Sequence, residues 1–257
     1  MSGTVKLTVR NKVATMCIDD VQRFNAMTLG MWESITGLIE QINANPEVRV
    51  CVLRGAGDKA FVSGANITEF ETVRNSASST ERYNLAVKSA QAAVSNCRVP
   101  VIASIQGICY GGGMGLALAC DLRYASPESR FRVPAAKLGL GYGVEGVQSM
   151  LENISASFVA EALYRAKVYS AQDALGAGMI NAILPSIHMS VDEIAQEIAE
   201  NAPLTIRAAK LAIRAALNND VDSVEANNAV AACFDSEDYK EGRQAFAEKR
   251  PPQFKGC

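Results

Sequence analysis

From Val99 to Cys120 the chain runs for 22 residues, VPVIASIQGICYGGGMGLALAC, without one Asp, Glu, Lys, Arg or His. A stretch of that length has two natural homes, a lipid bilayer or the middle of a protein. Pro100 and the five glycines at 107, 111, 112, 113 and 115 decide between them, because they break or weaken any single helix drawn through the segment. Neither aromatic belts nor basic flanks mark its ends. The stretch therefore reads as a buried strand over 101–105, a glycine-rich turn, and a buried helix from near Gly112 to Cys120. Such a parsing puts bare backbone in the interior, and a chain of 257 residues is long enough to surround it, burying roughly three quarters of its unfolded surface.

The flanking sequence alternates strand, loop and helix. Val5 to Arg10 and Val13 to Asp19 predict a strand pair joined at Asn11-Lys12. Thr28 is a candidate N-cap for a helix in which Trp32, Ile35, Leu38, Ile39 and Ile42 recur at helical spacing until Asn45-Pro46. Val48 to Leu53 predicts another strand. Then come Gly55-Ala56-Gly57, a loop with Ser63-Gly64, a Ser/Thr/Asn-rich stretch over 75–80, and a helix ending near Cys97. Alternation of this kind argues for an α/β fold with largely parallel strands, since parallel neighbours need helical crossovers. Beyond about residue 150 the apolar spacing favours helices at 158–164, 171–175, 191–198, 206–217 and 221–234. No linker sets this part off, so 1–257 is expected to be one domain, with a core over about 1–195 and a helical C-terminal region over about 196–257.

Several chemistries are disfavoured. With 25 Lys and Arg against 27 Asp and Glu, there is no cationic excess to neutralise nucleic-acid phosphates. Seven cysteines without a C-x-x-C pair suggest neither a disulfide framework nor a zinc site, and with no secretory or Arg-rich leader pattern a cytoplasmic location is expected. The one histidine, His188, follows an expected strand end at Ile183-Leu184-Pro185 and reads as a surface or loop residue with nothing nearby to orient it. There is no G-x-S-x-G elbow, no phosphate-binding G-x-x-x-x-G-K-[ST], and no metal-ligand spacing. The third glycine of a dinucleotide fingerprint is absent, its place taken by Leu116.

What remains is backbone. A strand running into Gly111-Gly112-Gly113 at a helix start exposes peptide N–H groups without a Cβ to block approach. Such amides can hold an oxyanion. Ser63-Gly64-Ala65-Asn66-Ile67, leading into a short helix, offers another. The same glycines also suit plain backbone-against-backbone packing, and spacing alone leaves both readings open.

At these residues the chain resembles the crotonase superfamily, the enoyl-CoA hydratase/isomerase family, over nearly its whole length. The resemblance rests on Arg23-Phe24-Asn25-Ala26-Met27, on Ala60-Phe61-Val62-Ser63-Gly64-Ala65-Asn66-Ile67, and on Val99-Pro100-Val101-Ile102-Ala103 leading to Gly107 and Gly111-Gly112-Gly113. Ala119-Cys120-Asp121, Ser170-Ala171-Gln172-Asp173-Ala174 with Gly178-Met179-Ile180, and the ending from Glu241-Gly242-Arg243 through Phe246 to Lys255 complete it. It implies a crotonase-like spiral of ββα units with a C-terminal helical trimerisation region, assembled as a homotrimer or a dimer of trimers. It implies acyl-CoA substrates, with coenzyme A as part of the substrate and no further cofactor. The amides of Ala65 and Gly112 would form the oxyanion hole; Asn25, Ala26, Ser63 and Ile67 would line the CoA path; and Lys255 would reach the CoA phosphates of a neighbouring subunit.

The chain also departs from the family pattern. Family hydratases carry one glutamate three residues beyond the oxyanion glycine and another directly after the proline that here is Pro134. This chain has Gly115 and Ala135 there. Neither can move a proton in hydration. The segment from Lys137 to Gly146 offers substitutes. Glu145 sits two residues beyond the register at which isomerases and dehalogenases of the family carry a carboxylate, and serves either as a base or as an acid complementing a helix N-terminus. Tyr142 matches a tyrosine of a family decarboxylase, whose accompanying histidine would fall at Ala65, and suits packing and hydrogen bonding as well as catalysis. Tyr110, beside the glycine turn, reads as pocket wall. The leading expectation is double-bond isomerisation with Glu145 as proton shuttle. Hydratase-like lyase chemistry, decarboxylation or thioester cleavage with Tyr142 polarising the substrate, and acyl-CoA binding without turnover stand as alternatives.

Overall fold

The computed structural model describes residues 3–69 and 75–257. Strands β1 (Thr4–Arg10) and β2 (Val13–Asp19) pair antiparallel through Asn11 and Lys12, whose φ angles of 49° and 68° give the tight left-handed turn that matches strand twist. Helix α1 (Leu29–Ala44) starts where the Met31 N–H donates to the Thr28 hydroxyl at 3.2 Å, and it buries Met31, Trp32, Ile35, Ile39 and Ile42.

The chain then winds through three ββα turns. The first holds β3 (Val50–Gly55), β4 (Ala60–Val62) and α2 (Ala77–Ser95). The second holds β5 (Val101–Ile105), β6 (Ile108–Tyr110) and α3 (Gly112–Leu118). The third holds β7 (Leu122–Ala125), β8 (Arg130–Arg132) and α4 (Ala135–Leu138). In every turn the first strand joins a large sheet and the second a small one, and the neighbours contributed by successive turns are parallel. This is the expected spiral. After α5 (Val144–Leu151) and α6 (Ala156–Arg165), β9 (Tyr169–Ser170) closes the small sheet antiparallel to β8. Beyond α7 (Ala171–Gly176), β10 (Ala182–Ile183) closes the large sheet, whose order is β1-β2-β3-β5-β7-β10.

Five strands lie outside the expectation. β4, β6 and β8 have three residues each, β7 four and β9 two, too few for alternation to show. α2 begins earlier than expected and absorbs most of the Ser/Thr/Asn-rich stretch, because Ser76 and Ser79 cap it reciprocally.

The uncharged segment is interior: Val101, Ile102, Ala103 and Ile105 are fully buried, and no described helix is long and apolar enough to cross a membrane. Its two ends are clasped together. The Asp121 carboxylate accepts from the Val101 N–H at 2.7 Å and from the Lys210 ammonium at 2.7 Å, and Lys210 also donates to the Val99 carbonyl at 2.9 Å.

α8 (Ile187–Glu200) lays Ile187, Val191, Ala195 and Ala199 on the outer face of the large sheet, against Val50, Val52 and Ile102. The division expected near residue 195 thus falls inside a helix that covers the sheet. The helical remainder comprises α9 (Pro203–Leu217), α10 (Val224–Phe234) and α11 (Glu237–Glu248). α10 starts after the Ser223 cap, leaving Val221 outside, and α11 lies beyond the expected helices, its EDYKEGRQAFAE sequence holding few apolar residues. Arg49, at the foot of β3, reaches across to this region and donates to the Ala199 carbonyl at 3.0 Å and the Phe254 carbonyl at 2.6 Å.

Candidate functional site

The glycine turn after β6 is locked by three different neighbours. Gly111 takes φ +51°, and its N–H donates to the Arg132 carbonyl at 2.9 Å. A Cβ on Gly112 would stand 3.0 Å from Cζ2 of Trp32, and one on Gly113 only 2.5 Å from the Val62 carbonyl oxygen. A Cβ on Gly115 would run into Nε2 of Gln91 on α2. The backbone can sit this deep because no side chain intervenes. As the first residue of α3, Gly112 has no intrahelical partner for its N–H, and no described residue accepts from it.

The second loop is built against residues 24–27. The Ser63 N–H donates to the Phe24 carbonyl at 3.1 Å, the Met27 N–H to the Gly64 carbonyl at 2.8 Å, and the Asn66 N–H to the Met27 carbonyl at 2.8 Å. This is a parallel bridge between Met27 and Ala65. Because strand groups alternate in direction, a bridge that engages the Gly64 carbonyl and the Asn66 N–H turns the Ala65 N–H the other way. No described residue accepts from it.

The two loops touch at their glycines. A Cβ on Gly64, whose φ is +120°, would lie 3.5 Å from the Tyr110 carbonyl, and one on Gly111 would lie 4.0 Å from the Gly64 Cα. Ala65 and Gly112 each follow one of these touching glycines, and both are half-buried.

The remaining expected residues divide. Asn25 is 1% exposed and its side chain is fully engaged: it donates to the Ala56 and Ala60 carbonyls at 2.9 and 2.7 Å and accepts from the Asp20 N–H at 2.9 Å. Its role here is to hold the loop before β4. Ala26 and Ser63 are half-buried and Ile67 is exposed beside Ala65. Lys255 lies in the C-terminal tail, where its backbone N–H donates to Asp238 at 2.6 Å, and the hydrogen bonds that knit the other residues together do not include it.

Around residues 135–146 the structure is more open. Pro134 packs beside Gly111, with Cδ 3.7 Å from where a Cβ would be, and Ala135 opens α4. Glu145 stands in the first turn of α5 with its side chain 73% exposed, paired with Lys88 of α2 at 2.7 Å. Lys88 and Gln91 are one helical turn apart, so Glu145 is tied to the helix edge that also fills the notch at Gly115. Tyr142 leans over Gly146, and burial pushes its phenol above the ordinary value. Tyr110 is half-buried at the end of β6.

His188 differs from its expected setting. It is the second residue of α8, and its Nδ1 lies 2.9 Å from the hydroxyl of the fully buried Ser104. Burial, helped by Arg54, pushes its imidazole below the ordinary 6.5. The strand end near residue 183 leads directly into a helix that folds back over β5, which sequence order alone conceals. All seven cysteines are free. Burial pushes the Cys109 thiol far up and that of Cys120 to about 12, so neither supplies a thiolate nucleophile.

Nothing in the sequence pattern marked Gln91, an ordinary glutamine on an amphipathic helix. The available signal was indirect: a glycine one turn into a buried helix leaves a notch that some long neighbour must fill.

A cavity of about 830 Å³ lies elsewhere, among the C-terminal helices, bounded by Ala208, Ala212, Phe234, Tyr239, Phe246 and Phe254.

Comparison with known proteins agrees with this architecture. The short-chain-enoyl-CoA hydratase of Clostridium acetobutylicum is 31% identical over 252 residues, covering 96% of each chain. The (E)-benzylidenesuccinyl-CoA hydratase of Thauera aromatica is 29% identical, covering 98% of this chain and 99% of its own. The crystal structure of an enoyl-CoA hydratase/carnithine racemase from Magnetospirillum magneticum superimposes with a TM-score of 0.94 at 31% identity, over 98% of this chain and 96% of the other. With the sequence model described as enoyl-CoA hydratase/isomerase matching residues 8–257, the fold and the sequence agree on one assignment: this chain belongs to the enoyl-CoA hydratase/isomerase family.

Proposed function

We propose that the chain is an acyl-CoA enzyme that stabilises a thioester enolate between the amides of Ala65 and Gly112, and that it shifts double bonds rather than adding water. The observation that carries this is the pair of unpartnered N–H groups beside the touching Gly64 and Gly111. A carbonyl oxygen accepting from both would gain charge as the α-proton leaves, and preorganised donors lower the energy of that step more than that of the bound substrate.

The proton needs a carrier. Neither Gly115 nor Ala135 has an acid to offer, which disfavours the hydration named in the relatives. Glu145 is a carboxylate paired with Lys88, one helical turn before the Gln91 that fills that notch. In a β,γ-unsaturated thioester it would take the proton from the α-carbon and return it to the γ-carbon, so one shuttle serves both half-steps. Coenzyme A would run along Ala26, Ser63 and Ile67, with Asn25 holding that edge in place. Lys255 would meet the CoA phosphates of a neighbouring subunit in a homotrimer or a dimer of trimers. The exposed Phe234 and Phe246 of the C-terminal helices suit such a contact. No cofactor beyond the coenzyme A of the substrate is needed.

The test is α-proton exchange in deuterated water, read by mass spectrometry over saturated and unsaturated acyl-CoAs, with Glu145→Gln alongside. Exchange or a moved double bond, abolished in Glu145→Gln, is the expected result. Exchange that survives Glu145→Gln but fails in Tyr142→Phe transfers the role to Tyr142. Bound thioester without any exchange points to a non-catalytic acyl-CoA-binding protein.

A further inference from the structure

Of the glycine notches along α3, the one at Gly112 is filled by the indole of Trp32 and the one at Gly113 by Val62. Only the notch at Gly115 is filled by a polar side chain. The carboxamide of Gln91 lies against it, with Cδ 3.2 Å and Oε1 3.6 Å from where a Cβ would be. Gln91 is half-buried, and its amide makes no hydrogen bond to any described residue. The amide is not sealed from water, so its donor and its acceptor are both open to a ligand that reaches the notch.

Its place relative to the two amides says what that partner is. Gly115 follows Gly112 by three helical residues, about 4.5 Å along the axis. Resting on the reading that Gly112 and Ala65 hold a thioester carbonyl, this rise of about one helical turn sets the notch within reach of the acyl carbons next to that carbonyl. A carboxamide donates and accepts but carries no charge and takes no proton. It can orient a neutral oxygen and cannot serve as a base.

We propose that Gln91 is a specificity-determining residue, whose carboxamide hydrogen-bonds a hydroxyl or carbonyl oxygen on the acyl group and so selects oxygenated acyl-CoAs over alkyl ones of the same shape.

The experiment measures dissociation constants of 3-hydroxybutyryl-CoA and 3-methylbutyryl-CoA, which differ by a hydroxyl in place of a methyl, by calorimetry on the full chain. The wild type should favour the hydroxyl ligand by about tenfold, the worth of one neutral hydrogen bond. Gln91→Met should bring the ratio to one or invert it. Gly115→Ala, which leaves the carboxamide intact but drives it out of the notch, should do the same. Arg82→Met, on the same helix but paired outward with Glu33, should keep the wild-type ratio. Because each ratio is internal to one variant, binding of 3-methylbutyryl-CoA also reports that the variant is folded. A ratio near one in the wild type, or a wild-type ratio in Gln91→Met, overturns the proposal. Failure of every thioester to bind overturns the parent reading with it. A ratio lost in Gln91→Met without α-proton exchange in any variant leaves this proposal standing and removes only the catalytic step.

Discussion

Residues 111–115 and residues 139–143 are both rich in glycine, yet the two segments use it in opposite ways. In the first, Trp32, Val62 and Gln91 occupy the space a Cβ would need, so each missing side chain makes room for a neighbour's atoms. In the second, a Cβ on Gly139, Gly141 or Gly143 would meet nothing within 4 Å, and Leu138, Leu140 and Val144 around them are exposed. Glycine in the first lets backbone approach backbone; in the second it leaves chain uncovered. The difference separates backbone fixed by packing from a rim whose one carboxylate is held only by a surface ion pair with Lys88.

The strongest way to break this comparison is to delete a donor without touching packing. Replacing Gly112 by glycolic acid turns its amide N–H into an ester oxygen and adds no side chain. Thioester α-proton exchange should fall by about 100- to 1,000-fold while the unfolding midpoint in denaturant barely moves. An unchanged exchange rate would mean that the fixed segment is only packing. Next, Gly113→Ala sets a methyl against the Val62 carbonyl and should cost about 1–3 kcal/mol of stability, read by denaturant unfolding.

A smaller effect comes from pH. β5 carries Ser104 shortly before the glycine turn, and Ser104 meets His188. The folded imidazole titrates below 6.5, so the unfolded chain binds the proton first as pH falls. The contribution is complete above 6.5 and is lost as pH drops through the lower folded value. Amide exchange should therefore quicken over 101–115 on acidification, less so in His188→Gln, while 139–143 shows no matching change. The least effect belongs to Gly141→Ala, whose methyl meets open space. Stability should change by no more than about 0.5 kcal/mol, in the stabilising direction, because the unfolded chain loses freedom.

Long periodic features are legible in the sequence itself. The apolar repeat of α1, the turn at Asn11-Lys12 and the uncharged strand β5 express local rules, and each lies within a few residues of its expected bounds. β4 and β6 are not legible because three residues carry no period. Of the site, the residues of both loops are indicated by glycine placement and family resemblance, but residues alone leave open whether those glycines expose amides or merely pack. Packing and exposure turn out to coexist: Gly113 packs while Gly112 keeps its N–H unpartnered. Gln91 and the partner of His188 stay hidden for one reason. Each is defined by a neighbour that only the third dimension supplies, Gly115 for one and Ser104, 84 positions away, for the other.

Arg49 gives the molecule a timetable. Its guanidinium is withdrawn from water at the foot of β3, and the carbonyls that satisfy it belong to Ala199 and Phe254, the latter 205 positions downstream. At a synthesis rate of about 5–20 residues per second, it waits roughly 10–40 s for its last acceptor to be made. Until then the early strands can pair but cannot bury that charge with its bonds complete. The early strands therefore carry one open bond until Phe254 is made, and termination anywhere before Phe254 leaves a cation in the interior with that bond unmade.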